Sequence, residues 1–187
     1  MEKKRMGRKD FENPIFKDRA KVLKTSEETG GHYTLGELIV SPGGKNFMHT
    51  HSAFEETFTA IEGKLGVVLQ GKKHYLQPGE SITVPLYEPH HFFNDGEDAI
   101  KCHVRFVRGH DDFIKGIAIA YGLAKDGLTD NQGKPKKFSH LALVMDMTDT
   151  KPTGLIGMLF PLFKFLANRA RRNGTERVLL ERYYYEE

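Results

Sequence analysis

Between residues 30 and 108 the chain consists of short apolar or alternating runs that are separated by turn-forming residues. The runs occupy residues 32–40, 47–51, 56–61, 65–70, 73–76, 81–84, 90–93 and 99–107. Their separators, such as Ser41-Pro42-Gly43-Gly44 and Asn94-Asp95-Gly96, supply the backbone angles that tight turns require. Short strands at this spacing are typical of an all-β sandwich or a small closed barrel.

After Gly109 the apolar positions recur with the period of a helix. Asp111 and Asp112 precede this pattern, and their carboxylates are suited to cap the start of the helix. One face of the helix contains Phe113, Ile114, Ile117, Tyr121 and Ala124.

Two further apolar segments, Phe138–Met147 and Gly154–Ala167, also predict helices. Within the second segment we expect Pro161 to start or kink the helix. A short final helix is expected after Thr175, with that residue as its N-cap.

These patterns divide the chain into three parts. Residues 1–10 are rich in Lys and Arg and almost without apolar side chains, which favours a flexible basic tail over an arm for nucleic acid or anionic lipid. Residues 11–109 are expected to form the barrel domain. Residues 110–187 are expected to form a helical extension that packs on the barrel or on a second copy of the chain.

Composition and charge narrow the class of protein further. The chain is 39% hydrophobic and 28% charged, as in an ordinary folded protein in water. Its 28 Lys and Arg against 25 Asp and Glu leave a formal charge of +3, which does not support nucleic-acid binding. The first thirty residues contain no apolar stretch resembling a secretory signal, and the lone Cys102 excludes an intramolecular disulfide. We therefore expect a cytoplasmic protein.

A cluster of residue types that commonly bind metals follows Gly43, which belongs to the first predicted turn, Ser41-Pro42-Gly43-Gly44. The sequence reads Gly43, five residues, His49, one residue, His51, four residues, Glu56, six residues, Gly63. Two histidines at i and i+2 on a strand project from the same face, so their imidazoles can bind one ion. Glu56, after a short turn, adds a carboxylate from the neighbouring stretch.

A second pattern begins after an interval of fifteen residues, 64–78, and it runs Gly79, five residues, Pro85, one residue, Tyr87, two residues, His90, three residues, Asn94. Together the two patterns resemble the two motifs of the cupin superfamily. Each motif begins with a glycine at a fixed distance from the residues that follow, which are His-x-His and Glu in the first motif and Pro-x-Gly and His in the second. Only Tyr87 departs, because the family usually has glycine there. We expect its phenol to narrow the pocket mouth, without a positive φ angle.

The resemblance implies a mainly β fold, with a single cupin barrel (a double-stranded β-helix, or jelly roll) at about residues 30–108 and a C-terminal α-helical extension. It also implies one divalent transition metal per chain, and iron, manganese, nickel or zinc would suit the donor set. The glycine Gly63, which is separated from Glu56 by six residues as in the family motif, selects Glu56 over Glu55. The implied ligands are His49, His51, Glu56 and His90.

The resemblance further implies a small molecule as substrate or ligand. The function expected from it is that of a small-molecule enzyme, dioxygenase-like or isomerase-like. The alternative is a non-catalytic barrel that binds or senses a small ligand, although no DNA-binding domain is visible beside it.

Several side chains near the motifs are candidates to line a pocket, although the aromatic ones fit a hydrophobic core equally well. Arg105 could hold an anionic substrate only if it lies on the face of strand 99–107 that points into the barrel. We favour the alternative, in which this face points outward and Arg105 is in contact with water. The candidates are Phe47, Phe58, Tyr75, Tyr87 and Arg105.

The apolar segment Gly154–Ala167 has 14 residues, fewer than the roughly 20 that a membrane-spanning helix needs. An interfacial helix is the alternative, but we expect the segment to pack against the barrel or a second subunit. The sequence therefore predicts a homodimer rather than a membrane protein.

Overall fold

Alternating inward apolar and outward polar residues build two antiparallel sheets in the computed structural model, which describes residues 7–153 and 160–185. The strands are β1 (Asp10–Asn13), β2 (Asp18–Lys24), β3 (Tyr33–Val40), β4 (His49–Thr50), β5 (Glu55–Glu62), β6 (Leu65–Leu69), β7 (Lys72–Leu76), β8 (Ser81–Val84), β9 (His90–Phe93), β10 (Ile100–Val107) and β11 (Lys151–Pro152). The helices are α1 (Asp111–Lys125), α2 (Phe138–Met147), α3 (Phe160–Arg172) and α4 (Thr175–Tyr183).

The larger sheet has the strand order β1-β2-β3-β10-β5-β8, and the smaller one has the order β11-β4-β9-β6-β7. Strands that are distant in sequence are neighbours in both sheets, as in the pairing of β3 with β10 and of β4 with β9. This is the arrangement of a jelly-roll barrel, and the mainly β fold with C-terminal helices is as the sequence predicted.

The barrel core lies between the two sheets. In β10 the side chains of Cys102, Val104 and Phe106 point inward and are buried, whereas Arg105 is exposed. In β5 the inward positions are Glu56, Phe58 and Ala60. The carboxylate of Glu56 therefore replaces an apolar side chain at one core position, and such a buried charge needs a partner.

The strands β3 to β10 coincide with the eight predicted runs, but β1 and β2 were not predicted. β2 has apolar residues only at Ala20, Val22 and Leu23 among charged ones, which is typical of a strand near a sheet edge with one polar face.

The chain N-terminal to β1 also differs from the expected flexible tail. The amide of Arg8 donates to the carbonyl oxygen of Tyr184, and Gly7 forms a bridge with Tyr185. Residues 7–10 are held by backbone hydrogen bonds, which need no apolar side chains; residues 1–6 lie outside the described residues.

Helix α1 covers the outer face of the added strands. Ile114, Ala118 and Tyr121 of this helix pack with Phe11 of β1. The expectation that Asp111 caps α1 was wrong, because its carboxylate instead accepts hydrogen bonds from the amide of Ser26 (2.7 Å) and the hydroxyl of Thr34 (3.0 Å). Asp111 therefore joins the helix to the barrel.

Helices α2, α3 and α4 form a second hydrophobic core together with Ile119 and Leu123 of α1. α3 begins at Phe160, so Pro161 lies in its first turn as expected, while Gly154–Leu159 of the predicted segment lie outside the described residues. Thr175 is the first residue of α4 rather than its cap. Its amide donates to the side-chain oxygen of Asn173 at 3.1 Å, which satisfies one free helix N–H.

Among the helices in the described ranges, none is both long enough and apolar enough to cross a membrane.

Burial of Asp18 predicts a pH-dependent stability. Its carboxylate accepts a hydrogen bond from the Tyr121 hydroxyl at 2.9 Å, but its second oxygen is buried and has no hydrogen-bond partner among the described residues. Burial raises the pKa of Asp18 from 3.8 to about 7 despite that hydrogen bond. Because the folded state binds the proton more tightly, this group contributes stability below about pH 4 that is lost as the pH rises towards about 7.

We therefore expect the unfolding free energy of the wild type, relative to that of Asp18→Asn, to fall by about 4 kcal/mol between pH 4 and pH 8. Urea denaturation across this range measures the difference. A difference that does not change with pH would contradict the assignment.

The outer face of α3 is a candidate interface for the predicted homodimer. Leu162 and Phe165 are 52% and 55% exposed there, and exposed apolar neighbours on soluble proteins often mark contacts with another chain. We expect sedimentation velocity at micromolar concentration to show a dimer, and the double variant Leu162→Glu/Phe165→Glu to be a folded monomer.

Val178→Glu is the matched control for that variant, because Val178 is an exposed apolar residue on α4. It should leave the dimer intact. A wild type that sediments as a monomer would show that the prediction is wrong.

Candidate metal centre

Two neighbouring strands and one strand of the opposite sheet carry the residues of the candidate metal centre. His49 is in β4 and pairs in register with His90 of β9, and His51 directly follows β4. Glu56 projects inward from β5. The motif glycine Gly63 ends that segment with φ 74°, and a Cβ there would lie 2.7 Å from a methyl carbon of Ile100. The turn after β5 therefore requires glycine.

The four side chains meet at one point inside the barrel. One ligand atom from each of His49, His51, Glu56 and His90 lies within 4.8 Å of all the others. Nε2 of His49 is 3.1 Å from Nε2 of His51, and Nε2 of His90 is 2.8 Å from Oε2 of Glu56. Glu55, by contrast, is exposed, since adjacent strand residues face opposite sides.

The other nitrogen of each imidazole is bound to a backbone carbonyl oxygen. Nδ1 of His49 donates to Phe47 at 2.8 Å, and Nδ1 of His90 donates to Glu88 at 2.9 Å. Nδ1 of His51 donates to the carbonyl oxygen of Asp149 at 3.1 Å. A carbonyl oxygen only accepts, so each Nδ1 carries a hydrogen and each Nε2 faces the common point. In neutral His49 and His51 this Nε2 presents a lone pair, whereas Nε2 of His90 is hydrogen-bonded to the carboxylate of Glu56.

This arrangement fits a metal ion. The Nε2 lone pairs of neutral His49 and His51 face each other at 3.1 Å with no hydrogen between them, which is unfavourable unless a cation lies there. Two nitrogens that each lie about 2.0–2.1 Å from a metal and subtend a right angle are about 3 Å apart, which matches the observed separation. The buried group of three imidazoles and one carboxylate could therefore hold a metal ion.

Burial controls the protonation of the centre. It lowers the pKa of His49 well below 6.5 and also lowers the pKa of His51. Burial acts in the same direction on His90, but the hydrogen bond and charge of Glu56 outweigh it and raise the pKa of His90. His49 and His51 are thus neutral near pH 7, as metal ligands must be.

Phenylalanines surround the imidazoles. The rings of Phe54 and Phe113 lie 4.5 Å and 6.2 Å from that of His51, and Phe47 lies 5.6 Å from His49. Phe58 lies 6.4 Å from His90. The four ligand residues are at most 6% exposed, so the centre is shielded from water.

The predicted pocket residues are only partly brought together. Phe58 is buried in the core beside His90, and Phe47 is at the edge of the centre with 44% of its surface exposed. Tyr75 and Arg105 were wrong as pocket residues. The hydroxyl of Tyr75 donates to Asp95 at the surface, and the outward Arg105 guanidinium stacks 4.5 Å above the Tyr33 ring.

Tyr87 also differs from expectation, because its φ angle is positive at 66°. The amide of Glu88 donates to the carbonyl oxygen of Pro85 at 3.3 Å, which places Tyr87 third in a tight turn where a left-handed conformation is needed. The amide of Tyr87 donates to the carbonyl oxygen of His51 at 2.7 Å and holds the turn against the ligand loop. The phenol is 66% exposed, so it lies at the surface rather than inside the centre.

Asp149 and Phe113 are neighbours of His51 that the sequence patterns did not predict as site residues. Both belong to the helical extension. Burial alone would raise the pKa of Asp149, but hydrogen bonds from the amides of Ser52 and Ala53 lower it instead. No sequence signal links Asp149, in the connection after α2, to a histidine 98 residues away whose imidazole its backbone carbonyl oxygen contacts.

Comparison with known proteins identifies the barrel. Residues 36–106 match the family Cupin_2, described as a cupin domain. A stretch of 72 residues is 32% identical to the uncharacterized protein MJ1618 of Methanocaldococcus jannaschii and covers 38% of this chain and 58% of that protein. This chain therefore aligns with little more than half of that relative, and the helices lie outside the family match.

Solved structures with similar folds include the polyketide cyclase RemF from Streptomyces resistomycificus, which is 26% identical with a TM-score of 0.47. That alignment covers 56% of this chain and 75% of RemF. A predicted oxalate decarboxylase from Thermotoga maritima is 16% identical with a TM-score of 0.46, over 48% of this chain and 79% of that one.

The positive φ angle of Tyr87 predicts the order of stability of two variants. Tyr87→Gly removes the steric cost of a left-handed residue, whereas Tyr87→Ala keeps it. Both variants lose the phenol, so their difference isolates the backbone effect. In urea denaturation we expect the Gly variant to be more stable than the Ala variant by about 1 kcal/mol. Equal stabilities would contradict the strained turn.

Proposed function

Because residues 36–106 form a cupin domain, we propose that the candidate metal centre holds one divalent transition metal and that the protein is a metal-dependent enzyme acting on a small molecule. The observation that carries this proposal is the orientation of the three imidazole rings, whose Nε2 atoms face one common point. All three donate Nδ1–H to backbone carbonyls, so three Nε2 atoms and the Glu56 carboxylate are left for one ion.

The donor set suits iron, manganese, nickel or zinc, with His49, His51, Glu56 and His90 as the ligands. When bound, such an ion supplies Lewis acidity, and iron or manganese adds redox chemistry. The chain contributes orientation and charge. Backbone carbonyls fix the rings, and Glu56 supplies the negative charge that reduces the net charge of the centre.

The aromatic surroundings of the imidazoles support chemistry on the ion itself, as in dioxygenase-type cupins. Within the described residues, the ring contacts of the three imidazoles, apart from those with one another, are with Phe47, Phe54, Phe58 and Phe113. These rings carry no proton to transfer, and they exclude water. An isomerase-like reaction, which needs a protein acid or base at the reacting atoms, is the alternative, and Asp149 beside His51 carries a carboxylate.

A second candidate function is a non-catalytic barrel that binds a ligand or senses it. The burial of all four ligand residues supports it, because a substrate must displace part of the rim before it reaches the ion. Phe47, which is partly exposed beside His49, is the rim residue nearest to such a path.

A cytoplasmic location is part of the same proposal. Cys102 is a free thiol in the barrel core, and burial raises its pKa to about 12. Such a thiol is unreactive and suits a reducing compartment.

Metal analysis tests the binding step with a matched pair of variants. Protein loaded with Fe²⁺, Mn²⁺, Ni²⁺ or Zn²⁺ and then dialysed should keep one ion per chain for at least one of these metals. Glu56→Gln should weaken that binding by about 100-fold or more, since even residues that only support a ligand contribute about 10–100-fold. Glu55→Gln is the control, because this neighbouring carboxylate faces solvent and should have no effect.

Failure of the wild type to retain any of the four metals would overturn the binding proposal. Equal effects of the two glutamine variants would show that the loss of charge, rather than the loss of a ligand, weakens binding.

Turnover separates the two candidate functions. The metal-loaded protein is mixed with a panel of small carboxylic acids and phenols while oxygen consumption is followed. Oxygen uptake that Glu56→Gln abolishes supports the dioxygenase-type enzyme. A ligand that shifts the spectrum of the bound metal without oxygen uptake or product formation supports the non-catalytic barrel.

A further inference from the structure

The connection after α2 runs along the candidate metal centre. Residues 148–152, here called the latch, include β11, which pairs with β4 so that Lys151 lies opposite Thr50 and Pro152 lies opposite His49. Two turn residues after β4, Ser52 and Ala53, face the latch. The helical extension thus adds an edge strand directly beside two predicted metal ligands.

The carboxylate of Asp149 anchors the latch. It accepts a hydrogen bond from the amide of Ala53 at 2.7 Å, another from the amide of Ser52, and one from the Ser52 hydroxyl at 3.0 Å. The ammonium of Lys151 lies 3.3 Å from the same carboxylate and also contacts the Ser52 hydroxyl. Asp149 therefore ties the turn after His51 to the extension with its side chain.

The backbone of the same residue contacts the ligand itself. The carbonyl oxygen of Asp149 accepts the Nδ1–H of His51 at 3.1 Å. Asp149 adopts a positive φ of 46°, which a non-glycine residue rarely does. The carboxylate contacts hold the residue in this conformation, in which its carbonyl oxygen reaches the imidazole.

His51 differs from the other two imidazoles in where its acceptor comes from. His49 and His90 each donate to the carbonyl oxygen two residues earlier in their own segment. His51 donates to a residue 98 positions further along the chain. The orientation of two rings is therefore local to the barrel, and that of the third depends on the extension.

We infer that Asp149 is a positioning residue for His51, and that the helical extension, which lies outside the cupin match at residues 36–106, completes the metal centre through it. This inference rests on the proposed function, because positioning His51 matters to the centre only if the centre binds a metal. The contact that carries the inference lies between two residues of the chain and does not involve the ion, so it can be tested in protein prepared without metal. Phe113 of α1, whose ring lies 6.2 Å from that of His51, gives the extension a second contact with the same ligand.

Asp149→Gly is the informative variant. It removes the carboxylate, while glycine accepts the positive φ without strain. Asp149→Asn is the conservative rescue, because its amide oxygen accepts from the same amides and asparagine tolerates this conformation. Gln70→Gly is the matched control, since Gln70 also has a positive φ, 52°, but lies in the turn between β6 and β7.

The first measurement uses metal-free protein labelled with ¹⁵N-histidine, whose nitrogen shifts report the tautomer of each ring. In the wild type and in Gln70→Gly all three ligand imidazoles should carry hydrogen on Nδ1. In Asp149→Gly only His51 should populate both tautomers, while His49 and His90 stay unchanged. Asp149→Asn should restore the wild-type state of His51.

A general loss of structure would change all three rings together, and an unimportant Asp149 would change none. Either result overturns the inference. The second measurement is competition for the metal that the wild type retains, in which Asp149→Gly should bind about 10–100-fold more weakly and Gln70→Gly as tightly as the wild type. Unchanged affinity in Asp149→Gly would also overturn it.

Failure of the two proposals can be told apart. If the wild type binds none of the metals, the proposed function fails, whereas the tautomer of His51 in the metal-free protein still decides whether Asp149 positions the ring.

Discussion

Each buried imidazole at the centre needs an acceptor for its Nδ1 hydrogen, and this requirement determines how the surrounding chain is arranged. Leaving a buried N–H unpaired costs about 1–3 kcal/mol, and the opposite ring nitrogen must at the same time remain free of donors. The chain meets the requirement with carbonyl oxygens, two from the barrel and one from the extension, which cannot donate and therefore fix the tautomer. The position of these carbonyls then dictates the turns before β4 and β9 and the course of the latch.

The sequence predicted the barrel well because its signals are local. Alternation and turn residues defined the strands from β3 to β10, and the fixed spacing around His49 and Glu56 identified side chains that the structure brings together. The sequence was less informative for β1 and β2, because these strands contain mainly polar residues and show no clear apolar pattern. These strands pack on α1 with one face and meet solvent with the other, so their apolar positions are few.

The remaining differences arise from tertiary contacts that have no local signature. Tyr87 adopts a left-handed conformation because the turn before His90 requires it, even though tyrosine has no preference for such angles. Asp111 resembles a helix cap in sequence but bonds to Ser26 and Thr34, which are more than seventy residues away. Asp149 belongs to the same class. For all three residues the partner, and not the residue type, determines the role.

The contacts of Asp111 and Asp149 share one location, the junction between the barrel and the extension. Asp111 joins α1 to β3, and Nε2 of His110 donates to the carbonyl oxygen of Met147 at the end of α2. Asp149 joins the next segment to the turn after His51. Because the contacts of Asp111 and His110 pair half-buried polar groups, separating the extension from the barrel would leave several such groups unpaired at once. The helices and the candidate metal centre are therefore expected to order together, which physically explains how residues outside the cupin match come to support one of its ligands.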